Sequence, residues 1–241
     1  MTWTTLSYAL LAGILPSLLW LMFWLREDNL HPEPRLVIAI TFLLGMLAVA
    51  MAVYGEGIAS VFISDPSHKY IAWAAIEEIS KALAVILVGI FSRQIDEPID
   101  YMLYFLTAAL GFAAAENALF LMHPLSIGDT AGSVAIGDFR FIGATLVHTI
   151  SSALIGFCLG LVYYRGALAK IGMATIGLAG AVAIHSAFNL SVVSAAPSET
   201  LQIFAWIWGA VVVMMIFFEE IKGVHNPLST KGAAKTPTVV Q

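Results

Sequence analysis

Apolar residues run along this chain in seven long stretches, at about 3–25, 36–55, 69–91, 100–122, 141–164, 170–195 and 201–221. Each reaches roughly the 20 residues that an α-helix needs to cross the hydrocarbon core of a bilayer. None alternates apolar with polar positions as a barrel strand does, and a span in lipid must satisfy its own backbone hydrogen bonds, so all seven are expected to be helices. Turn-forming clusters punctuate them at Asn29–Pro34, Ser64–His68, Gln94–Pro98, Pro124–Asp138 and Ala195–Glu199. The first stretch does not read as a cleaved signal peptide, because no base precedes it, it is long for such a segment and Arg26 follows it directly. Pro16 is expected to kink it. The expected fold is all-α: a polytopic membrane bundle of about seven transmembrane helices, with residues 1–222 as a single domain. The polar segment 223–241 is expected to be a disordered cytoplasmic tail.

Composition narrows the class. Hydrophobic residues make up 60% of the 241 and charged residues 11%, where soluble domains hold about 45–50% and 25%. A soluble globular fold is excluded, and little length remains for a separate soluble domain. The net charge of −5 comes with no basic block, so nucleic acid is not expected as a partner. The single cysteine, Cys158, allows neither an internal disulfide nor a cysteine-based metal cluster, and it reads as packing. Of the 11 bases, Arg26, Arg35, Arg93, Arg165, Lys170, Lys222, Lys231 and Lys235 fall on one side of the seven-helix arrangement. Lys69 and Arg140 fall on the other, at helix edges. Bases concentrate in cytoplasmic loops, so the N terminus is expected outside and the C terminus inside.

A charge near the bilayer centre is costly, so the ionisable residues deep within spans call for a reason. Span three carries Glu77, Glu78 and Lys81, span four Glu116 followed by Asn117, span five His148 and span six His185 with Asn189. With about 1.5 Å of rise per residue, the expected orientation puts all of them roughly 10–15 Å below the outer boundary. Structural polar groups scattered over four antiparallel helices have no reason to agree in depth. The agreement predicts one shared site that opens toward the extracytoplasmic face. Local spacings favour it: Lys81 stands four residues after Glu77 and three after Glu78, so its ammonium can neutralise either carboxylate and leave the other for further work. Small residues at Ala113–Ala115, and the Gly156-x-x-x-Gly160 of span five, let these helices approach closely.

Two carboxylates and two imidazoles brought together suit peptide hydrolysis, which needs an activated water, an oxyanion stabiliser and an acid for the leaving amine. They also suit a divalent metal shell, and spacing does not separate a metal-bound from a glutamate-activated water. The set Glu77-Glu78-x-x-Lys81, Phe112-x-x-x-Glu116, His148-x-x-Ser151 and His185-x-x-x-Asn189, on successive helices in that order, resembles the PrsW family of intramembrane proteases, related to the CAAX/Abi protease group. Arg140, eight residues before His148, fits the same pattern. The resemblance covers about residues 70–195, the expected catalytic core being 69–195. The CAAX motifs read E-E-x-x-x-R and F-x-x-x-H, so Lys81 and Glu116 place the chain nearer PrsW.

The resemblance implies a multi-pass protein of a bacterial or archaeal cell membrane that cleaves a membrane-anchored protein, such as an anti-sigma factor, near the extracytoplasmic side of the bilayer. It implies catalytic roles for Glu77, Glu78, Glu116, His148 and His185, with Lys81, Phe112, Asn117, Arg140, Ser151 and Asn189 supporting. Glu78 is the preferred water-activating residue because it stands one turn from Lys81 beside Ser80. The family is classed with metalloproteases while its CAAX relatives are argued to use a glutamate-activated water, so a divalent ion such as zinc, on Glu78, Glu116, His148 and His185, stays an open element. No H-E-x-x-H, G-x-S-x-G or intramembrane aspartate pair points to another intramembrane protease. Two further classes stay open on the residues alone. A proton-coupled transporter or channel uses such groups as a relay, but repeats and Gly or Pro interruptions in spans three to six are not evident. A helix-binding scaffold would account for the small-residue faces and not for four ionisable sites at one depth.

Overall fold

The computed structural model describes residues 2–27, 32–194 and 197–225, and over these it holds helices and turns with no strand. Its helices are α1 (Trp3–Glu27), α2 (Arg35–Phe62), α3 (Pro66–Ser92), α4 (Pro98–Ser126), α5 (Thr130–Phe139), α6 (Thr145–Leu161), α7 (Ala167–Ser194) and α8 (Thr200–Lys222). A π-helical turn at Arg140–Ala144 carries α5 into α6 without a break, so the described residues form seven rods, as the apolar stretches lead one to expect. Six are long and apolar enough to cross a membrane. The seventh, α3, has 27 residues, and Glu77, Glu78 and Lys81 in its middle lower its hydropathy. The chain is a multi-pass integral membrane protein. Apolar side chains such as Val61, Phe62, Leu168, Leu201 and Trp206 stand exposed around the bundle, an arrangement that lipid rather than water rewards.

At the centre runs α4, buried without interruption from Met102 to Ala114. Its run of Ala108, Ala109, Gly111, Ala113 and Ala114 leaves no bulky face, so α1, α2 and α6 all close on it. A glycine pair on α6 sets its close approach to α4. A Cβ at Gly156 would lie 2.6 Å from the backbone of Tyr101 and Met102, and one at Gly160 2.5 Å from the Pro98 carbonyl oxygen. Any larger side chain there would lever α6 away from α4. In turn α3 packs between α2 and α7, which leaves the middles of α3, α4, α6 and α7 facing one another.

Two expectations are revised. The Pro124–Asp138 segment is mostly helical: α4 continues through Pro124 to Ser126, although proline has no N–H to give the Phe120 carbonyl. The break is confined to Ile127–Asp129, where Gly128 takes φ +76°, and the Asp129 carboxylate then caps α5 by accepting from the Gly132 amide at 2.8 Å. The fifth span begins at Thr130 rather than 141 and is interrupted by the π turn. Trp24 packs in the core, fully buried beside Phe23 and Phe218. The tail beyond residue 225, and residues 28–31 and 195–196 of two expected turns, lie outside the described residues.

Candidate active site

Charged and polar side chains from α3, α4, α6 and α7 meet in one buried network. On α3, the helical repeat brings Lys81 back over Glu78, and Nζ donates to Glu78 Oε1 at 2.5 Å. That same oxygen accepts from Ser151 Oγ and from His185 Nδ1, both at 2.8 Å, while Oε2 accepts from Ser152 Oγ at 2.9 Å. Four donors from α3, α6 and α7 therefore converge on one fully buried carboxylate. This repays the burial of Lys81 and Glu78 and ties the three helices together.

A second knot is centred on Glu116 of α4. Its Oε2 accepts from His148 Nε2 at 2.8 Å and from the guanidinium of Arg140. Arg140 Nε donates to Asn117 Oδ1 at 2.5 Å, and Asn117 Nδ2 donates to Thr145 Oγ1 at 3.0 Å. The guanidinium also lies over the Phe120 ring, 4.0 Å from its centroid. The π turn explains how Arg140 reaches the site. In a continuous α-helix, residues eight apart stand about 80° off a common face. A turn closed by i→i+5 bonds holds more residues and returns Arg140 to the side that His148 faces. Phe112 roofs the network, its ring 5.3 Å from that of His148 and 5.0 Å from Lys81 Nζ.

Glu77 is the acid of this group that has no donor. It is buried, and its Oε2 has no hydrogen-bond partner among the described residues. That oxygen lies 3.6 Å from His148 Nδ1 and 3.6 Å from His185 Nε2. The hydrogen-bond partners assign the tautomers: His148 gives its Nε2–H to Glu116 and His185 its Nδ1–H to Glu78, so each ring turns a lone pair toward Glu77. Lys81 Nζ lies 3.2 Å from His148 Nδ1, so the ammonium and an ion beside Glu77 would compete for that one lone pair.

One ligand atom from each of Glu77, His148 and His185 lies within 4.8 Å of the other two, which suits a divalent ion. Ligands about 2.0–2.2 Å from a tetrahedral ion stand roughly 3.3–3.6 Å apart, and the two 3.6 Å separations match that edge. Each ring also presses its second nitrogen against a carboxylate, the usual support of a metal-binding histidine. The donor set differs from the expected one. Glu78 and Glu116 spend their carboxylates on Lys81, Ser151, Ser152, Arg140 and the histidines, and Glu77 faces both rings in their place.

A cavity of about 390 Å³ opens from Glu77 and Glu116 between α2, α3, α4 and α7, with Phe112, Phe120 and Asn189 among its walls. Of the expected residues, Glu77, Glu78, Lys81, Phe112, Glu116, Asn117, Arg140, His148, Ser151 and His185 join the network. Asn189 lines only the cavity. Sequence spacing marks Ser152 only as sharing a helix face with His148, and it does not single out Thr145, which joins the network, or Glu56, which lines the cavity. Glu56 stands one residue beyond the second apolar stretch at 36–55, so a search for charges within the stretches does not reach it.

A family model described as PrsW family intramembrane metalloprotease matches residues 33–224. A protein named Protease PrsW from Geobacillus kaustophilus (strain HTA426) is 27% identical over 155 residues, 62% of this chain and 64% of its own length. Another of that name from Bacillus subtilis (strain 168) is 24% identical over 190 residues, 74% and 79% of the two chains. The chain thus spans just under two thirds of the first relative. No solved structure matches.

Proposed function

The chain belongs to the PrsW family of intramembrane metalloproteases, and on that premise we propose that it hydrolyses a peptide bond of a membrane-anchored protein, of the anti-sigma-factor kind, at the extracytoplasmic end of its bundle. The observation that carries this reading is the buried Glu77 Oε2, without a hydrogen-bond partner among the described residues and 3.6 Å from a nitrogen of each imidazole, on a residue that lines the 390 Å³ cavity. The walls come from the second half of α2, the first half of α3 and the second halves of α4 and α7. These all lie toward one end of the antiparallel rods, the outer end under the distribution of bases.

Glu77, His148 and His185 would hold the divalent ion that the family implies. When bound, such an ion supplies a polarised scissile carbonyl and a water of lowered pKa. Glu78 holds His185 and Lys81 in place through its four hydrogen bonds. Glu116 orients His148, and both of its hydrogen bonds end on Oε2, so Oε1 is free to take the proton of the attacking water and pass it to the leaving amine. Arg140 holds the Glu116 carboxylate in place through its ion pair.

The test is a comparison of protein N termini in membranes carrying the intact chain or Glu77→Gln at matched levels. Extracytoplasmic termini that arise only with the intact chain, and that a chelator suppresses and zinc restores, are the expected outcome. Identical termini under several envelope stresses would rule the proposal out. Termini insensitive to chelation would retain proteolysis and remove the metal.

A further inference from the structure

Glu56 is the one carboxylate of the cavity that the mechanism above leaves without work. Two register marks locate it. Trp73 Nε1 donates to Ser60 Oγ at 3.1 Å, and a Cβ at Gly55 would lie 3.0 Å from Ile76 Cγ2. The antiparallel α2 and α3 are thus level at Ser60 with Trp73 and at Gly55 with Ile76. Glu56 therefore stands at the depth of Glu77, on the opposing wall of the same cavity.

Its charge is uncompensated. Lys81 is paired with Glu78 and Arg140 with Glu116, and no base pairs with Glu56 among the described residues. A carboxylate within a membrane span carries a solvation cost that invites a cationic partner. The surroundings suit one with a long stem. Val49, Ala52 and Val53 form an apolar strip leading to Glu56 on the cavity face of α2, the kind of surface along which the methylenes of Lys or Arg lie. Tyr70 and Trp73, edge to face with centroids 5.4 Å apart, line the same space, and aromatic rings attract cations. Glu77 lines this cavity too, so an acidic side chain entering it would meet carboxylates on two walls.

We propose that Glu56, Tyr70 and Trp73 form a specificity subsite that receives a Lys or Arg side chain of the substrate next to the bond being cut. The proposal rests on the proteolytic reading above. It makes the cavity selective for substrates whose extracytoplasmic juxtamembrane segment carries a base beside the cleavage point.

The experiment uses the full chain in proteoliposomes and single-span peptides with a leucine–alanine helix. One position of the outer-leaflet segment, scanned in turn, carries Lys, Arg, norleucine or Glu. With the intact chain, Lys and Arg peptides at one or two adjacent positions should show a KM about tenfold below that of norleucine. Glu56→Gln should erase most of this preference through KM, and Glu56→Lys should transfer it to the Glu peptide. Absence of any preference in the intact chain, or a preference that survives Glu56→Gln, overturns the proposal. Equal loss of cleavage for all four peptides in Glu56→Gln overturns it as well, and makes Glu56 part of the chemistry. Binding of the same labelled peptides to Glu77→Gln chains in nanodiscs reads the subsite without turnover. If no peptide is cleaved by the intact chain but Lys binds about tenfold tighter than norleucine and Glu56→Gln abolishes the difference, the subsite stands and the proteolytic reading falls. Should Glu56→Gln fail to fold, Trp73→Leu gives the same readout from the aromatic wall.

Discussion

Glu77 and Glu78 leave α3 about 100° apart, and that angle gives neighbouring carboxylates different burdens. Glu78 turns into the bundle and collects donors from Lys81, Ser151, Ser152 and His185. Glu77 turns to the cavity and meets none at Oε2. Glu78→Ala should strand the Lys81 ammonium in the core and cost roughly 3–5 kcal/mol, read as a lower Tm in detergent and a poorer folded yield. Glu77→Gln removes a charge that no donor serves, so its Tm should stay near that of the parent while cleavage falls at least about 100-fold. Equal destabilisation by the two variants would refute this division. The pairing with Lys81 is legible from the i, i+3 spacing, and it favoured Glu78 as the water-activating residue. The same pairing is what occupies Glu78, and only the positions of Ser151, Ser152 and His185 reveal it, because they lie 73, 74 and 107 residues away in the chain.

Among the elements, α4 acts as a spine because small residues let three helices touch its backbone. At the crossing with α2, a Cβ on Gly45 would fall 2.1 Å from the Ala108 carbonyl oxygen, whereas one on Gly57, further along the same helix, meets nothing within 4 Å. Gly45→Ala should therefore push α2 off α4 and cost about 1–3 kcal/mol. Gly57→Ala should be neutral or stabilise by about 0.5–1 kcal/mol, since alanine orders a helix better than glycine. Unfolding by titrated dodecyl sulfate would rank the pair, and equal midpoints would discount the close crossing. The π turn is the element least legible in advance. Nothing in Arg140-Phe141-Ile142-Gly143-Ala144 distinguishes it from an α-helical turn, and it is the pull of Glu116 and Asn117 on Arg140 that accompanies the extra winding.

For the molecule as a whole, the distribution of bases predicts a cavity on the outer side. With Cys158→Ala as the background, a cysteine at exposed Ser64, between α2 and α3, should react with a membrane-impermeant maleimide on intact cells. One at exposed Arg165, between α6 and α7, should react only after the membrane is opened. The reverse pattern would turn the site to the cytoplasm and exclude an extracytoplasmic substrate. The sequence by itself determined the number and course of the spans, because the length and apolarity of a lipid-facing helix are local properties with a threshold set by the bilayer. It also determined the helices that share a site, because a buried charge is costly enough to need an explanation wherever it occurs. The tertiary structure alone decided which glutamate is left without donors, how Arg140 reaches Glu116 and that Glu56 shares the cavity. Those outcomes depend on rotation about helix axes and on crossings closed to within an ångström by glycine, and residues far apart in the chain set them jointly.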